Sequence, residues 1–377
     1  MQTSAFDPSL EPDRVRRPGN TTRATRASLI GLAATLVAVT SACGSSSSSK
    51  SAATPTTAAP TAASATPAAA AAASGGVDLS KVTLQVGEEE KNVVTLLTQA
   101  GLQNTPYKIV YSEWPTSAAE LQGLTAGAAD IGGAAAAPTI NAIAAGAPIQ
   151  AAVAELSNQV TGAAILVPKN SPIQTVAQLK GKEVSPTTKG SIGEYVLLAN
   201  LNKVGLGPSD IKLDFLQPTD ARAAFASGDI AAWSTWDPYL ATAEIQDGAR
   251  VLADGAGLNA SLGFLDVTDS ALNNPGKHAA IQDLINRMDA AAVWEQEHLS
   301  TASQTYSKLY STPLSIAAVV EGRGIETFQI NSPQIQSDFQ GIADLYAKDG
   351  VITKDVQVGP SLNHTFTVDP AAAPTPS

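Results

Sequence analysis

Histidine, cysteine and aromatic residues are scarce in this chain of 377 residues, and each scarcity closes off a class of chemistry. There are three histidines, His278, His298 and His364, and none stands at a metal-ligand spacing from another His or from Cys. His298, within Trp294-Glu295-Gln296-Glu297-His298, reads as an exposed helix residue. The single cysteine, Cys43, rules out an internal disulfide framework, and no thiol falls in the part of the chain with folding signals. Basic residues are outnumbered 23 to 34, and the net charge of −11 argues against a nucleic-acid partner, because phosphate is held by Lys and Arg. No nucleotide-binding loop, metal cluster or Ser-His-Asp order is visible, so no cofactor is expected. What the chain does have is length for two domains and 44% hydrophobic residues to fill them.

The first part reads as an address. Arg14, Arg16, Arg17, Arg23 and Arg26 precede an apolar run, Leu29 to Val39, and then Thr40-Ser41-Ala42-Cys43-Gly44. A basic region, a short apolar region and small residues before a cut site make a secretory signal. The apolar run is too short to span ~30 Å of hydrocarbon. Small residues flanking Cys43 resemble the lipobox of bacterial lipoproteins, so residues 1–42 are expected to be a signal peptide and Cys43 a lipidation site. Two or more acyl chains would be needed for firm anchoring. Residues 43–79 hold Ser45 to Ser49, Thr-Pro pairs and Ala68 to Ala73 without apolar periodicity, which predicts a low-complexity tether with a mean span of roughly 30 Å. The Arg16-Arg17 pair leaves twin-arginine export as an alternative to the general route.

From Lys81 onward short apolar runs alternate with amphipathic ones. Strands are expected at 82–86, 107–111, 129–132, 149–155, 163–167, 182–185, 211–215, 230–233 and 262–267. Helices are expected at 91–100, 117–126, 138–145, 191–204, 220–227, 238–247 and 277–299, with more helix to about Asp349. Alternation of this kind predicts α/β units on largely parallel sheets. Residues 114–131 and 217–230 echo each other: Trp-Pro-Thr-Ser or Gln-Pro-Thr-Asp, a helix, a Gly, then Asp-Ile. With Ser or Asp as cap and Gly as terminator, the echo suggests two similar lobes.

Open α/β sheets bind ligands at the carboxyl ends of their strands. Gly87-Glu88-Glu89-Glu90, Trp114 to Ser117, Ala134 to Thr139, Lys189-Gly190-Ser191, Thr219-Asp220 and Trp233 to Asp237 fall there. Lys189-Gly190-Ser191 opens a helix, where free amides suit an anion or a polar oxygen; a simple Gly-Ser cap is the plainer reading. Trp233 and Trp236 could offer flat apolar contact to an organic ligand, with core packing as the alternative for Trp233. Asp237 before Pro238 also suits a helix cap. Glu88-Glu89-Glu90 reads most simply as a solvated loop at a helix start.

The run Ala163 to Ile173, then Leu179-Lys180-Gly181-Lys182, Lys189-Gly190-Ser191, Asp220 to Gly228 and Trp236-Asp237-Pro238 resembles the aliphatic sulfonate, taurine and nitrate group of periplasmic binding proteins. Leu124 to Gly127, Asp130-Ile131-Gly132 and Ala144 to Pro148 fit as well, so the resemblance covers about residues 80–355. It implies an α/β type II periplasmic-binding fold, two lobes joined by two crossover strands and closing on a ligand. Lobe one would be 80–166 plus 255–363, lobe two 167–254, and 364–377 a disordered tail, with crossings near Leu166–Pro168 and Val251–Asp254. The implied role is a lipid-anchored, monomeric solute receptor for an ABC importer, with a permease and an ATPase as partners and no catalysis; a lipoprotein that senses a ligand without transporting it is the alternative. The implied ligand site draws on Trp114, Ser117 and Ala136 from lobe one. From lobe two it draws on Gly190, Ser191, Thr219, Trp233, Trp236 and Asp237. Sulfonate binders of the group tend to have Thr-Gly-Asp at Ala134-Ala135-Ala136, Lys near Glu90 and His near Glu194. Three polar or basic positions are thus neutral or acidic, which makes Glu90 and Glu194 candidate partners for a ligand amine.

Overall fold

The computed structural model describes residues 77–89, 91–157, 161–324 and 326–376. The signal segment, Cys43 and Glu90 lie outside the described residues. The first strand, β1 (Thr83–Glu89), buries Leu84 and Val86 as a period of two requires. It is followed by α1 (Asn92–Gln99), β2 (Lys108–Trp114), α2 (Ser117–Thr125), β3 (Ile131–Ala135), α3 (Ala136–Ala144) and β4 (Ile149–Ser157). The chain then crosses to a second lobe of β5 (Ala163–Val167), β6 (Glu183–Ser185), α4 (Ile192–Lys203), β7 (Lys212–Leu213), α5 (Pro218–Ser227), β8 (Ala232–Trp236), α6 (Tyr239–Gln246) and β9 (Arg250–Asp254). It returns through β10 (Leu262–Thr268) to α7 (Asp269–Leu272), α8 (Pro275–Glu297), α9 (Leu299–Tyr310), α10 (Leu314–Arg323), β11 (Glu326–Gln329) and α11 (Pro333–Lys348).

The two sheets share one plan. Strand order is β2-β1-β3-β10-β4 in the first, with β11 added at its edge, and β7-β6-β8-β5-β9 in the second. The first three strands of each are parallel, and the next, β10 or β5, runs against them. The sequence echo is therefore a repeat of topology, with α2 leading into β3 as α5 leads into β8. Both helices stop at a glycine in the left-handed region, Gly127 and Gly228, which a side chain rarely occupies. The caps differ from expectation. Thr116, not Ser117, accepts the first-turn amide of Ala119, and α5 starts from Gln217 with Pro218 in its first turn.

Four expectations need correction. The sheets are mixed, not largely parallel, because β5 and β10 enter by direct crossings from the other lobe and need no helical crossover. Residues 163–167 belong wholly to the second sheet, so the outward crossing precedes Ala163; β9 pairs with β5, so the return lies between Asp254 and Leu262. The edge strand β11 was not anticipated. Residues 364–376 are not a loose tail. Phe366 is buried and stacks on His278 at 4.4 Å, and Thr367 and Asp369 hydrogen-bond to Gln282 and Asn286 of α8.

α11 wedges between α3 of one lobe and α4 of the other, joining Ile140, Val196, Leu197, Phe339 and Tyr346 in one apolar cluster. Burial of each such side chain contributes about 1.5–3 kcal/mol. The Tyr346 hydroxyl donates to the Ser191 carbonyl at 2.8 Å, tying α11 to the start of α4. On the other side of the first sheet, α1 and α8 cover β1, β3 and β10. Among the described residues no helix is long and apolar enough to cross a membrane.

Candidate ligand-binding site

A strand followed by a helix leaves backbone amides at the strand's carboxyl end, because the first turn of a helix has no internal acceptors. In this fold several such junctions, from both lobes, converge on a cavity of about 370 Å³. Lobe one supplies Glu89 at the end of β1, Thr116 and Ser117 at the start of α2, and Ala134 and Ala135 at the end of β3. Lobe two supplies Thr188 and Ser191 before α4, and Trp236 and Asp237 at the end of β8. A third wall comes from α8, α9 and α10 through Glu295, Tyr306, Tyr310, Glu321 and Arg323.

Glu89 sits where the lobes meet. Its Oε2 accepts the Ser117 hydroxyl at 2.6 Å, while Oε1 is buried with no hydrogen-bond partner of its own. Burial pushes its carboxyl above the usual range, and Ser117 and the Trp236 indole from the opposite lobe draw it partly back. Thr188 Oγ1 is likewise buried without a partner. Asp237 accepts the Ala241 amide at 2.8 Å and faces Arg323 of α10 at 3.4 Å; the same guanidinium reaches Glu244 of α6 at 2.8 Å. Burial raises Asp237 to about 6, against the pull of Arg323.

Behind the cavity lie two more carboxyls. Glu120 is 1% exposed and neither oxygen has a hydrogen-bond partner of good geometry. It fits only because β1 and β3 carry glycine beside it: a Cβ on Gly132 would lie 2.0 Å from its Oε1. Asp266 is fully buried and accepts the Thr139 hydroxyl at 2.6 Å. Burial raises Asp266 to about 8 and Glu120 well above the carboxylate range, with Glu89 and Asp266 adding to the second shift. Among the described residues no group of acids, His and Cys is arranged to hold a metal ion.

Of the sites expected from sequence, the cavity brings together Ser117, Ser191, Trp236 and Asp237. The others lie elsewhere. Trp233 is fully buried, donates to Thr187 Oγ1 at 2.9 Å and packs on Phe225, so it is a core residue. Trp114 lies on Gly123 outside the cavity, where any Cβ would meet its ring. Ala136 is fully buried at the first turn of α3, while Ala134 and Ala135 form the wall. Gly190 and Glu194 face each other: the Gly190 amide donates to Glu194 Oε2, which ties the acid into its own helix start. Thr219 is exposed on α5, away from the cavity. Sequence reading placed Glu88 and Glu89 in a solvated loop, whereas both belong to β1, Glu88 is buried and Glu89 lines the cavity; Thr188 and the whole third wall were missed. Glu89 carried a signal, since alternation along β1 places it opposite the buried Glu88, whose carboxylate accepts the Val94 amide. The third wall carried none.

The NMT1/THI5 like family matches residues 108–287. A putative aliphatic sulfonates-binding protein of Escherichia coli (strain K12) is 33% identical over 252 residues, covering 67% of this chain and 78% of that protein. The chain belongs to the aliphatic sulfonates-binding protein family. A second member of this description, from Bacillus subtilis (strain 168), is 30% identical over 261 residues, 69% of this chain and 77% of that one. Among solved structures, the alkanesulfonate-binding protein SsuA of Xanthomonas axonopodis pv. citri, bound to MOPS, superposes with a TM-score of 0.68 at 29% identity. The match covers 74% of this chain and 98% of SsuA. The fold is thus that of the periplasmic binding proteins, and for a member of this sulfonates-binding family the cavity is acidic. Among the described residues, Glu89, Glu155, Asp237, Glu295 and Glu321 line it against one cation, Arg323.

Proposed function

We propose that this protein is the extracytoplasmic capture subunit of an ABC importer, held to the membrane by lipid on Cys43, and that it closes around an organic sulfonate. The observation that carries this reading is the cavity walled by both lobes, with the starts of α2 and α4 meeting in it. A ligand touching both lobes favours the closed form by the contacts it makes only there. The unsatisfied first-turn amides of the two helices and the unpartnered Thr188 hydroxyl supply donors for sulfonate oxygens, while the Ser117 and Ser191 hydroxyls donate to Glu89 and to the Pro186 carbonyl. The relatives named above are described as sulfonate binders, and this is the chemistry such a seat suits. Binding is the whole act: the chain's one thiol, Cys43, precedes both lobes, so a cysteine nucleophile is not at hand in the cleft.

Calorimetric titration of the purified protein with butane-1-sulfonate tests the reading. Micromolar binding, about −8 kcal/mol, is expected, with contraction of the small-angle scattering profile. Thr188→Val should weaken binding about tenfold, the loss of one hydrogen bond to a charged group. Failure of all sulfonates to bind would remove the ligand class. For the anchor, Cys43→Ser should move the protein from the membrane fraction to the soluble one; continued membrane retention would argue against lipid at Cys43.

A further inference from the structure

Glu120 stands in the first turn of α2, the helix whose start faces the cavity, yet its side chain is not part of the lining. It lies against Gly87 of β1 and Gly132 of β3, filling the space that a side chain on Gly132 would take. The register partner of Gly132 across the antiparallel β3–β10 pair is Asp266. Directly opposed residues project to one face with Cβ positions about 4.5–5.5 Å apart. The Glu120 carboxyl, seated in the gap left by Gly132, is therefore a direct neighbour of the Asp266 carboxyl. Three of their four oxygens, both of Glu120 and Oδ1 of Asp266, are buried without a hydrogen-bond partner; the fourth accepts the Thr139 hydroxyl at 2.6 Å. The one backbone amide that favours charge on Glu120 is that of Gly133. Buried acceptors side by side lack a donor, and a proton held between them supplies it. The groups around the pair do not offer an alternative. On the same face of the sheet β1 brings Glu89, β2 brings Ser112 and Trp114, and α3 brings Thr139, while Glu88 acts from the far face. Asp130, before β3, is taken by Lys277 of α8 at 2.7 Å. Among the described residues neither Glu120 nor Asp266 takes part in an ion pair. Glu89 differs from both, because the Ser117 hydroxyl and the Trp236 indole donate to it. Negative charge settles on Glu89, and the proton on the pair behind it.

We propose that Glu120 and Asp266 share a buried proton which takes part in the binding equilibrium: with the proton in place the start of α2 is free to hold an anion, and its loss puts further negative charge behind the cleft and weakens the ligand. This inference rests on the receptor reading above and adds a proton to it. The coupling follows from the position of Glu120. An ionised acid in the first turn neutralises the positive end of its own helix, the same end that an anion in the cleft uses. Linkage is reciprocal, so a bound anion holds the shared proton more tightly than the empty cleft does, and binding takes up a proton where the pair titrates. Affinity is accordingly full while the pair is protonated and falls as pH rises through its titration. Asp266, raised to about 8, places that window above pH 7, where Asp237, raised only to about 6, is already ionised.

The test is calorimetric titration with butane-1-sulfonate at pH 7, 8 and 9, in phosphate and in Tris, on the wild-type protein and on Glu120→Gln. Glutamine keeps the shape of a protonated glutamic acid, and its amide can donate to Asp266 at every pH. Circular dichroism at each pH reports that folded protein is being titrated. The wild type should bind at least about fivefold more weakly at pH 9 than at pH 7. At pH 8 its apparent binding enthalpy should differ between the two buffers in the sense of proton uptake. Glu120→Gln should keep the affinity seen at pH 7 and lose both the pH dependence and the buffer dependence. Asp266→Asn, which keeps an acceptor for Thr139, should behave alike and serves if the first variant does not fold. Wild-type affinity that is level from pH 7 to 9, without proton uptake, would overturn the coupled proton and leave the receptor reading standing. So would a pH dependence that persists in both variants, since it would then belong to Glu89 or another carboxyl of the lining. Failure to bind at any pH would overturn the sulfonate receptor reading and this inference with it.

Discussion

At the scale of single residues, two glycines and two tryptophans show how narrowly a position is set. Gly190 has φ +75°, and a Cβ there would lie 1.6 Å from Nδ2 of Asn141 on the facing lobe. Only glycine lets the turn before α4 come this close to α3. Gly190→Ala should cost about 1–2 kcal/mol from backbone strain alone, read as a lower urea midpoint, and should weaken ligand binding by holding the lobes apart. Gly193 is tight for another reason, since a Cβ would meet the carbonyls of Pro186 and Ser234 at 2.7 Å. Trp233 and Trp236 divide stability from recognition. Trp233→Phe should lower stability by about 1–3 kcal/mol and leave ligand affinity intact, because its indole serves Thr187 in the core. Trp236→Phe should do the reverse, weakening the ligand with little change in the unfolding midpoint. Denaturation and calorimetry on the same two variants check both halves.

At the scale of elements, two of the links between the lobes among the described residues differ in character. α11 joins them through packed apolar side chains shared with α3 and α4, while α10 joins them through Arg323, which bridges to Asp237 and Glu244. The first link is mainly apolar, with Lys348 and Asp349 reaching Asn202 at its rim; the second is a partly buried ion triad. Arg323→Ala leaves two half-buried carboxylates facing each other and should cost about 1–3 kcal/mol of closed-state stability. Scattering from the ligand-free variant should show a larger radius of gyration than the wild type. An unchanged radius together with unchanged affinity would mean that the triad does not govern closure.

For the whole molecule, pH should act through carboxyls that ionise with difficulty. The folded-state value of Asp266, about 8, lies above its unfolded value of 3.8. The folded protein therefore holds this proton more tightly, and stability is greatest below the unfolded value and falls as pH rises toward 8. One such group contributes a slope of about 1.4 kcal/mol per pH unit across that window. Glu120, also raised by burial, adds in the same direction. Unfolding free energy measured from pH 5 to 8 should decline, and Asp266→Asn, which keeps the acceptor for Thr139, should flatten the decline. A wild-type profile that rises over this range would mean that Asp266 is ionised in the folded protein.

Local pattern was enough for much of the architecture. Short apolar runs marked β1, β4, β5 and β10, a cap at Ser191 and stop glycines marked α4, α2 and α5, and the echo between 114–131 and 217–230 announced the repeated strand order of the two sheets. Strand ends likewise pointed to Ser117, Ser191, Trp236 and Asp237. The same rules, applied more strictly, separate Trp233 from Trp236, because residues three apart on a strand face opposite sides. Glu295, Tyr306, Tyr310 and Arg323 were beyond their reach. These residues stand on α8, α9 and α10, remote in sequence from the strand ends they face, and nothing in their own neighbourhood distinguishes them from other helix residues. Periodicity is a property of a few consecutive residues and so is written in the chain; the lining of a cavity depends on which distant surfaces pack together, and the charge of Glu89, Glu120 and Asp266 depends on the water that packing removes. The sequence by itself determined the lobes and their repeated plan, and only the tertiary structure decided that an acidic, aromatic wall would close over the cleft between them.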